Sequence, residues 1–254
     1  MDISLKEITK NNRAFFLAYD QGLEHGPIEF CDENADPSFI IEIAKRGGYT
    51  GVILQKGIVE KYKEEIKKSK VPLILKLNGK TRLFDGEPIS EQLCSVEKAI
   101  SLGAVAVGYT IYIGSSFESK MLKEFEKIQE KSHRHKIPVI AWIYPRGKSV
   151  KKYSDSELMA YAARVGLEIG ADIVKIKYNG DFKALKWAVK VAGKTKIVIS
   201  GGEKTEEKIF LNLLKEAIDA GCIGVAVGRN IWQSEKPFDI SKKARKIILE
   251  DRNS

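Results

Sequence analysis

Gly170-Ala-Asp-Ile-Val-Lys-Ile-Lys-Tyr178 opens on a helix-ending glycine and runs into a strand whose apolar residues do not alternate with polar ones. That is the pattern of a parallel strand buried on both faces. Seven further runs of the same kind recur: Ala14–Asp20, Gly51–Gln55, Val71–Asn78, Ala104–Ile111, Val139–Pro145, Lys196–Gly202 and Cys222–Gly228. Amphipathic stretches lie between them, among them Pro37–Arg46, Ser90–Leu102, Phe117–His133, Ser154–Ile169, Asp181–Val191 and Thr205–Ala220. Strand alternating with helix implies βαβ units and a parallel sheet. Eight such units in 254 residues predict an α/β fold, a single (β/α)₈ TIM barrel spanning 1–254. No GxGxxG follows the first strand and no P-loop pattern occurs, which counts against an open nucleotide-binding sheet.

Composition narrows the class. The chain is 43% hydrophobic and 30% charged, with a formal charge of +9. No apolar run approaches the ~18 residues of a membrane helix, and Met1–Lys10 is too polar for a signal peptide. The expectation is a cytoplasmic protein without a membrane partner. Lysines in Lys61–Lys70 and Lys120–Lys136 are mixed with glutamates, the composition of a solvated helix face, and aromatics are not interleaved as nucleic-acid stacking requires. A basic nucleic-acid-binding barrel is the remote alternative, and no nucleic-acid partner is expected. Cys31, Cys94 and Cys222 form no CxxC, and the last two sit among apolar residues as core fillers. His133 and His135 read as surface residues, which leaves His25 as thin support for a metal; no metal or cofactor is expected.

In such barrels chemistry sits at the C-terminal ends of the strands, so polar residues interrupting apolar runs there are informative. Period-two geometry puts Lys175 and Lys177 on the face of Ile173. A strand-end lysine can simply snorkel to water. In a partly desolvated interior, however, burial and a neighbouring ammonium expose the neutral amine that attacks a carbonyl. Lys175, the deeper of the two, is the better nucleophile, with Lys177 as the depressing charge or a phosphate contact. Trp142, Tyr144 and Arg146 share one face of the fifth strand's end. Tyr144 is either a packed structural tyrosine or a phenol lowered by nearby cations into proton exchange, and Arg146 offers a planar fork for phosphate. Asp20, before a Gly-rich loop carrying His25, reads on its own as a loop cap; the alternative is a carboxylate grasping a polyhydroxylated substrate. Ser200-Gly201-Gly202 and Gly228-Arg229-Asn230 end the last two strands, where glycine loops commonly receive phosphate.

Seven stretches in order carry a likeness: Ala18-Tyr-Asp-Gln-Gly-Leu-Glu-His-Gly-Pro27, Leu75-Lys-Leu-Asn-Gly-Lys-Thr81, Gly108-Tyr-Thr-Ile-Tyr-Ile-Gly-Ser115, Tyr144-Pro-Arg-Gly147, Lys175-Ile-Lys-Tyr178, Ser200-Gly-Gly202 and Gly228-Arg-Asn230. The chain resembles the archaeal-type class I fructose-1,6-bisphosphate aldolases from the first strand to Trp232. The resemblance implies reversible, metal-independent cleavage of a phosphorylated sugar in glycolysis and gluconeogenesis. It makes Lys175 the Schiff-base lysine, Tyr144 the general acid/base, and Asp20 and His25 contacts to substrate hydroxyls. It assigns Ser200, Gly201, Gly202, Gly228 and Arg229 to one phosphate and Arg146 to the other; Trp142, Gln21 and Lys177 join the substrate-binding set. It also implies a homo-oligomer. Gln21 stands where many relatives carry His, and Glu203 where Pro is common. The nearest rival is a related Schiff-base enzyme such as 2-amino-3,7-dideoxy-D-threo-hept-6-ulosonate synthase.

Overall fold

The eight apolar runs form strands that close on themselves. In the computed structural model, which describes residues 3–83 and 85–250, β1 (Ala14–Ala18), β2 (Gly51–Gln55), β3 (Leu73–Lys76), β4 (Ala104–Ile111), β5 (Val139–Ile143), β6 (Ile173–Lys177), β7 (Lys196–Ser200) and β8 (Gly224–Val227) pair in parallel, each with its chain neighbour. The barrel is sealed by β1 against β8, with Ala14 beside Gly224 and Leu17 beside Val227. The ends of the expected 1–254 domain, residues 1–2 and 251–254, lie outside the described residues, as does residue 84.

Strand pleating sorts side chains into two cores. Phe16, Ile53, Ile74, Ala106, Ile140, Trp142, Ile173, Val198 and Ala226 fill the barrel, joined by Ile8 from the turn before β1. Their neighbours one residue along, such as Phe15, Val52, Leu75, Val107, Val174 and Ile199, pack outward against the helices. Continuous apolar sequence is the result, because both faces are dry. The covering helices carry clear stop and start signals. Asp36 caps the Pro37–Gly47 helix through the Ser38 N–H. Ser154 and Glu157 form a reciprocal capping box at the start of the Asp155–Glu168 helix.

Several boundaries differ from the sequence reading. β3 ends at Lys76, and Asn78–Gly79 pairs instead with Glu91–Gln92 as a short antiparallel ribbon. The helix expected from Ser90 therefore begins only at Val96, capped by Ser95. Asn78 is the pin: its side-chain amide donates to the Ser90 and Thr110 carbonyls (both 2.8 Å), and its side-chain oxygen accepts the Thr110 N–H. Cys222 precedes β8 rather than opening it, and both Cys94 and Cys222 are buried. His133 is a correction. Its Nε2 lies 3.0 Å from Asp172 Oδ2, a carboxylate that also accepts the Val139 N–H, so it fastens the Glu118–Arg134 helix beneath the strands. His135 is exposed.

One close approach has a measurable consequence. A Cβ on Gly108 would stand 1.8 Å from Trp142 Cζ3, so the indole is seated directly on that backbone. Gly108→Ala is expected to cost roughly 1–3 kcal/mol by overpacking. A calorimetric melting temperature lower by roughly 3–10 °C checks it.

Candidate active site

All thirteen residues singled out at the strand ends line one cleft of about 360 Å³ at the C-terminal mouth of the barrel. Lys175 is at its centre. The strand register sets it beside Trp142, and its side chain is buried with Nζ 5.2 Å from the indole centroid. Burial holds its amine at a pKa of about 8; Asp20 works against that shift and Lys76 adds to it. Roughly one molecule in ten then carries a neutral amine at pH 7.

Lys76 and, after it, Arg229 are the cations that press on Lys175, and Lys177 is not among them. Lys177 extends from the rim into solvent, whereas Lys76 is buried at the end of β3. Lys76 Nζ lies 3.7 Å from Asp20 Oδ2 and 5.4 Å from the same indole centroid. Its own pKa is lowered by burial, against the pull of Asp20 and Glu24. The signal was present in the sequence, because Lys76 interrupts Val71–Leu75 as Lys175 interrupts its own strand. Replacing Lys76 with Met removes a positive charge near Lys175, which makes the ammonium easier to hold and raises its pKa above about 8. The neutral fraction at pH 7 then falls. Activity there should drop by about three- to tenfold, with the rising, acid-side limb of the kcat/KM profile shifted to higher pH.

Tyr144 corrects the expectation of a lowered phenol. Burial, then the charges of Asp20 and Glu24, push its pKa well above the usual value, and Arg146 only partly offsets them. The resting group is a neutral phenol lining the same cleft as the lysine, able to donate a proton before it accepts one.

Arg146 and Arg229 mark opposite sides of the mouth, and each is already held by a carboxylate. Arg146 Nη1 is 2.7 Å from Glu24 Oε1, with its guanidinium 5.1 Å from the Tyr112 ring centroid. Arg229 Nη1 is 2.7 Å from Glu29 Oε1. Burial pushes the Glu24 carboxyl up, but Arg146 outweighs it and holds it below the ordinary range. His25, expected to contact a substrate hydroxyl, has both ring nitrogens engaged: Nδ1 with Glu29 at 2.8 Å and Nε2 with Arg82 at 3.0 Å. Because Arg82 only donates, Nε2 accepts from it and Nδ1 donates to Glu29. Glu24, Glu29 and Arg82 were not singled out from sequence.

The loops after β7 and β8 are shaped by Asn230. Its side-chain amide donates to the Gly201 and Glu203 carbonyls at 2.7 and 2.8 Å, and its oxygen accepts the Thr205 N–H. The Gly201 N–H is used by the Ala226 carbonyl at 3.3 Å and is not free for an anion. Gln21 reaches across to Gly228, where a Cβ would stand 3.1 Å from its Nε2. Among the described residues, no three His, Cys, Asp or Glu side chains are grouped as a metal site requires.

Known proteins resemble this chain over nearly its whole length. The family model described as DeoC/LacD family aldolase matches residues 14–234. The class 1 fructose-bisphosphate aldolase of Thermoproteus tenax is 47% identical over 247 residues, covering 96% of this chain and 92% of that protein. The Halobacterium salinarum enzyme of the same name is 42% identical over 246 residues, covering 96% and 93%. A solved archaeal fructose-1,6-bisphosphate aldolase, with its catalytic lysine covalently bound to the carbinolamine intermediate of its substrate, superposes with a TM-score of 0.91 at 46% identity, covering 96% of this chain and 97% of that one. With the family model spanning the barrel from β1 past β8, and relatives this similar over nearly the whole length, the chain belongs to the DeoC/LacD aldolases.

Proposed function

We propose that this protein is a Schiff-base-forming fructose-1,6-bisphosphate aldolase, cleaving its substrate reversibly to dihydroxyacetone phosphate and glyceraldehyde 3-phosphate. One observation carries the reading: a buried lysine amine held at a pKa of about 8, between arginines at opposite sides of one cleft. Relatives and solved structures bearing that activity's name support it.

The neutral Lys175 amine attacks C2 of the open-chain ketose to give a carbinolamine. Tyr144, a phenol at rest, protonates the departing hydroxyl, which leaves as water and produces an iminium facing a phenolate. The high phenol pKa then becomes useful, because a phenolate in a dry site is a strong base. It takes the C4 hydroxyl proton as the C3–C4 electrons move to the iminium nitrogen, releasing glyceraldehyde 3-phosphate and leaving an enamine. The regenerated phenol protonates C3, and water then frees dihydroxyacetone phosphate. Asp20 and the neighbouring Lys76 fix charge around C3 and C4, while contacts at both phosphates hold the reacting bond against the lysine.

In this proposal residues 1–254 form one cytoplasmic aldolase domain that assembles as a homo-oligomer and serves glycolysis and gluconeogenesis. Borohydride added with dihydroxyacetone phosphate is expected to leave a covalent adduct on the peptide containing Lys175, and cleavage is expected to persist in EDTA. Loss of activity in EDTA with recovery on adding zinc would overturn the reading.

A further inference from the structure

The two arginines offered to phosphate are not free, and the carboxylates that hold them come from one short piece of chain. Glu24 lies in the Gly22–His25 helical turn and Glu29 ends the Pro27–Glu29 turn, with Gly26 between them at a φ of 71°. Glu24 accepts from Arg146 on one side of the cleft, and Glu29 accepts from Arg229 on the other. The segment is cross-braced: His25 bonds Glu29, Arg82 bonds His25, and the Arg82 N–H donates to the Glu24 carbonyl at 3.1 Å.

We propose that Glu24 and Glu29 are specificity-determining residues: they stand as resident anions on both arginines, and a ligand must exchange both for phosphate dianions. This deepens the aldolase reading and rests on the cleft receiving a phosphate at each side.

The chemistry of exchange sets the selectivity. A carboxylate fixed on the same chain competes at a high effective concentration, about millimolar for a short tether. An external carboxylate offers the arginine the same interaction and gains nothing by replacing it. A phosphate monoester brings about −1.5 to −2 charges and three acceptor oxygens, enough to displace the glutamate and to form the two-pronged arginine contact. A phosphate arriving without displacement would crowd two anions onto one guanidinium. Simple departure of the glutamate is equally disfavoured at the Arg229 pair, whose side chains are only 18% and 20% exposed, because it strands two largely desolvated charges. Exchange therefore favours ligands with a phosphate at each side over carboxylates and neutral sugars. It also couples the two sides, since Glu24 and Glu29 move with one braced segment.

Two measurements test it. First, in hydrogen exchange on the wild-type protein, saturating inorganic phosphate is expected to speed exchange of the amides in residues 22–30, since the exchanged glutamates release their segment. Slower or unchanged exchange there would overturn the proposal. Second, in Glu24→Gln, Glu29→Gln and the double variant, the KM for fructose 1,6-bisphosphate should fall. Succinate, ineffective on wild type, should become an inhibitor with its Ki lowered by about tenfold or more. A raised or unchanged KM with no gain in succinate inhibition would make the glutamates ordinary braces or substrate contacts, and the proposal would be wrong. If no ketose phosphate is cleaved at all, the aldolase reading falls separately, because phosphate-dependent exchange on the wild type is read without turnover.

Discussion

Lys175→Met is expected to abolish cleavage, lowering kcat by roughly 10⁴- to 10⁶-fold, the scale on which covalent catalysts lose rate with their nucleophile. Methionine keeps most of the length and apolar character of the stem, so the packing beside Trp142 and Ile173 should survive. The lost group is the amine alone. Without it the substrate carbonyl has no route to an iminium and the C3–C4 electrons have nowhere to go. The decisive readout is covalent. Borohydride and dihydroxyacetone phosphate should label wild type on the Lys175 peptide and leave the variant unlabelled. Labelling of the same peptide in the variant would move the nucleophile to another lysine. Because a lysine with a pKa of about 8 is a mild burden on the fold at neutral pH, the variant should also melt no lower than wild type. The sign follows from the direction of the shift. Folding lowers this lysine's pKa, so the folded state holds its proton less firmly than the unfolded one. That cost is fully present below about pH 8 and fades as pH rises toward the unfolded value of 10.5.

Tyr144→Phe is expected to lower kcat by about 10²- to 10⁴-fold, the usual worth of one positioned acid–base group. Its signature differs from that of the lysine variant. The amine remains, so borohydride trapping with dihydroxyacetone phosphate should persist at a reduced rate while bond cleavage nearly stops. Loss of the hydroxyl removes the donor for the departing C2 oxygen and the acceptor for the C4 proton in one change. If cleavage stays within about threefold of wild type, proton transfer belongs to another group or to water, and the burial-raised phenol is only a packing residue.

Much of the architecture was legible from residues alone, and the reason is physical. Gly51–Gln55 and Ala104–Ile111 were bounded to the residue because a strand dry on both faces cannot hide its apolar run. The same logic exposed Lys175, since a lysine inside such a run needs a cause. Lys76 obeys that rule as well: it interrupts the run Val71–Asn78 and is buried at the end of β3. The ribbon at Asn78–Gly79 was not legible, because its pairing depends on one amide side chain reaching Thr110 on the neighbouring strand β4. Glu24 and Glu29 were hidden for a related reason. Carboxylates in a polar loop look hydrated until the fold delivers Arg146 and Arg229 to them. The direction of the Tyr144 shift was misjudged because sequence adjacency to Arg146 suggested a cation, whereas Asp20 and burial, both tertiary, decide it.

The seam between the first and last strands governs when the catalyst comes into being. Asp20 follows β1 and Arg229 follows β8, and between them the Trp232 indole N–H bonds the Ala18 carbonyl while Arg13 holds the Cys222 carbonyl. On a ribosome, most of the helices and strands can gather while the nascent chain is still emerging. The cylinder, however, stays open until β8 has emerged to pair with both β7 and β1. A chain that stops short of β8 would carry Lys76 and Lys175 on a sheet with no closing seam and without Arg229.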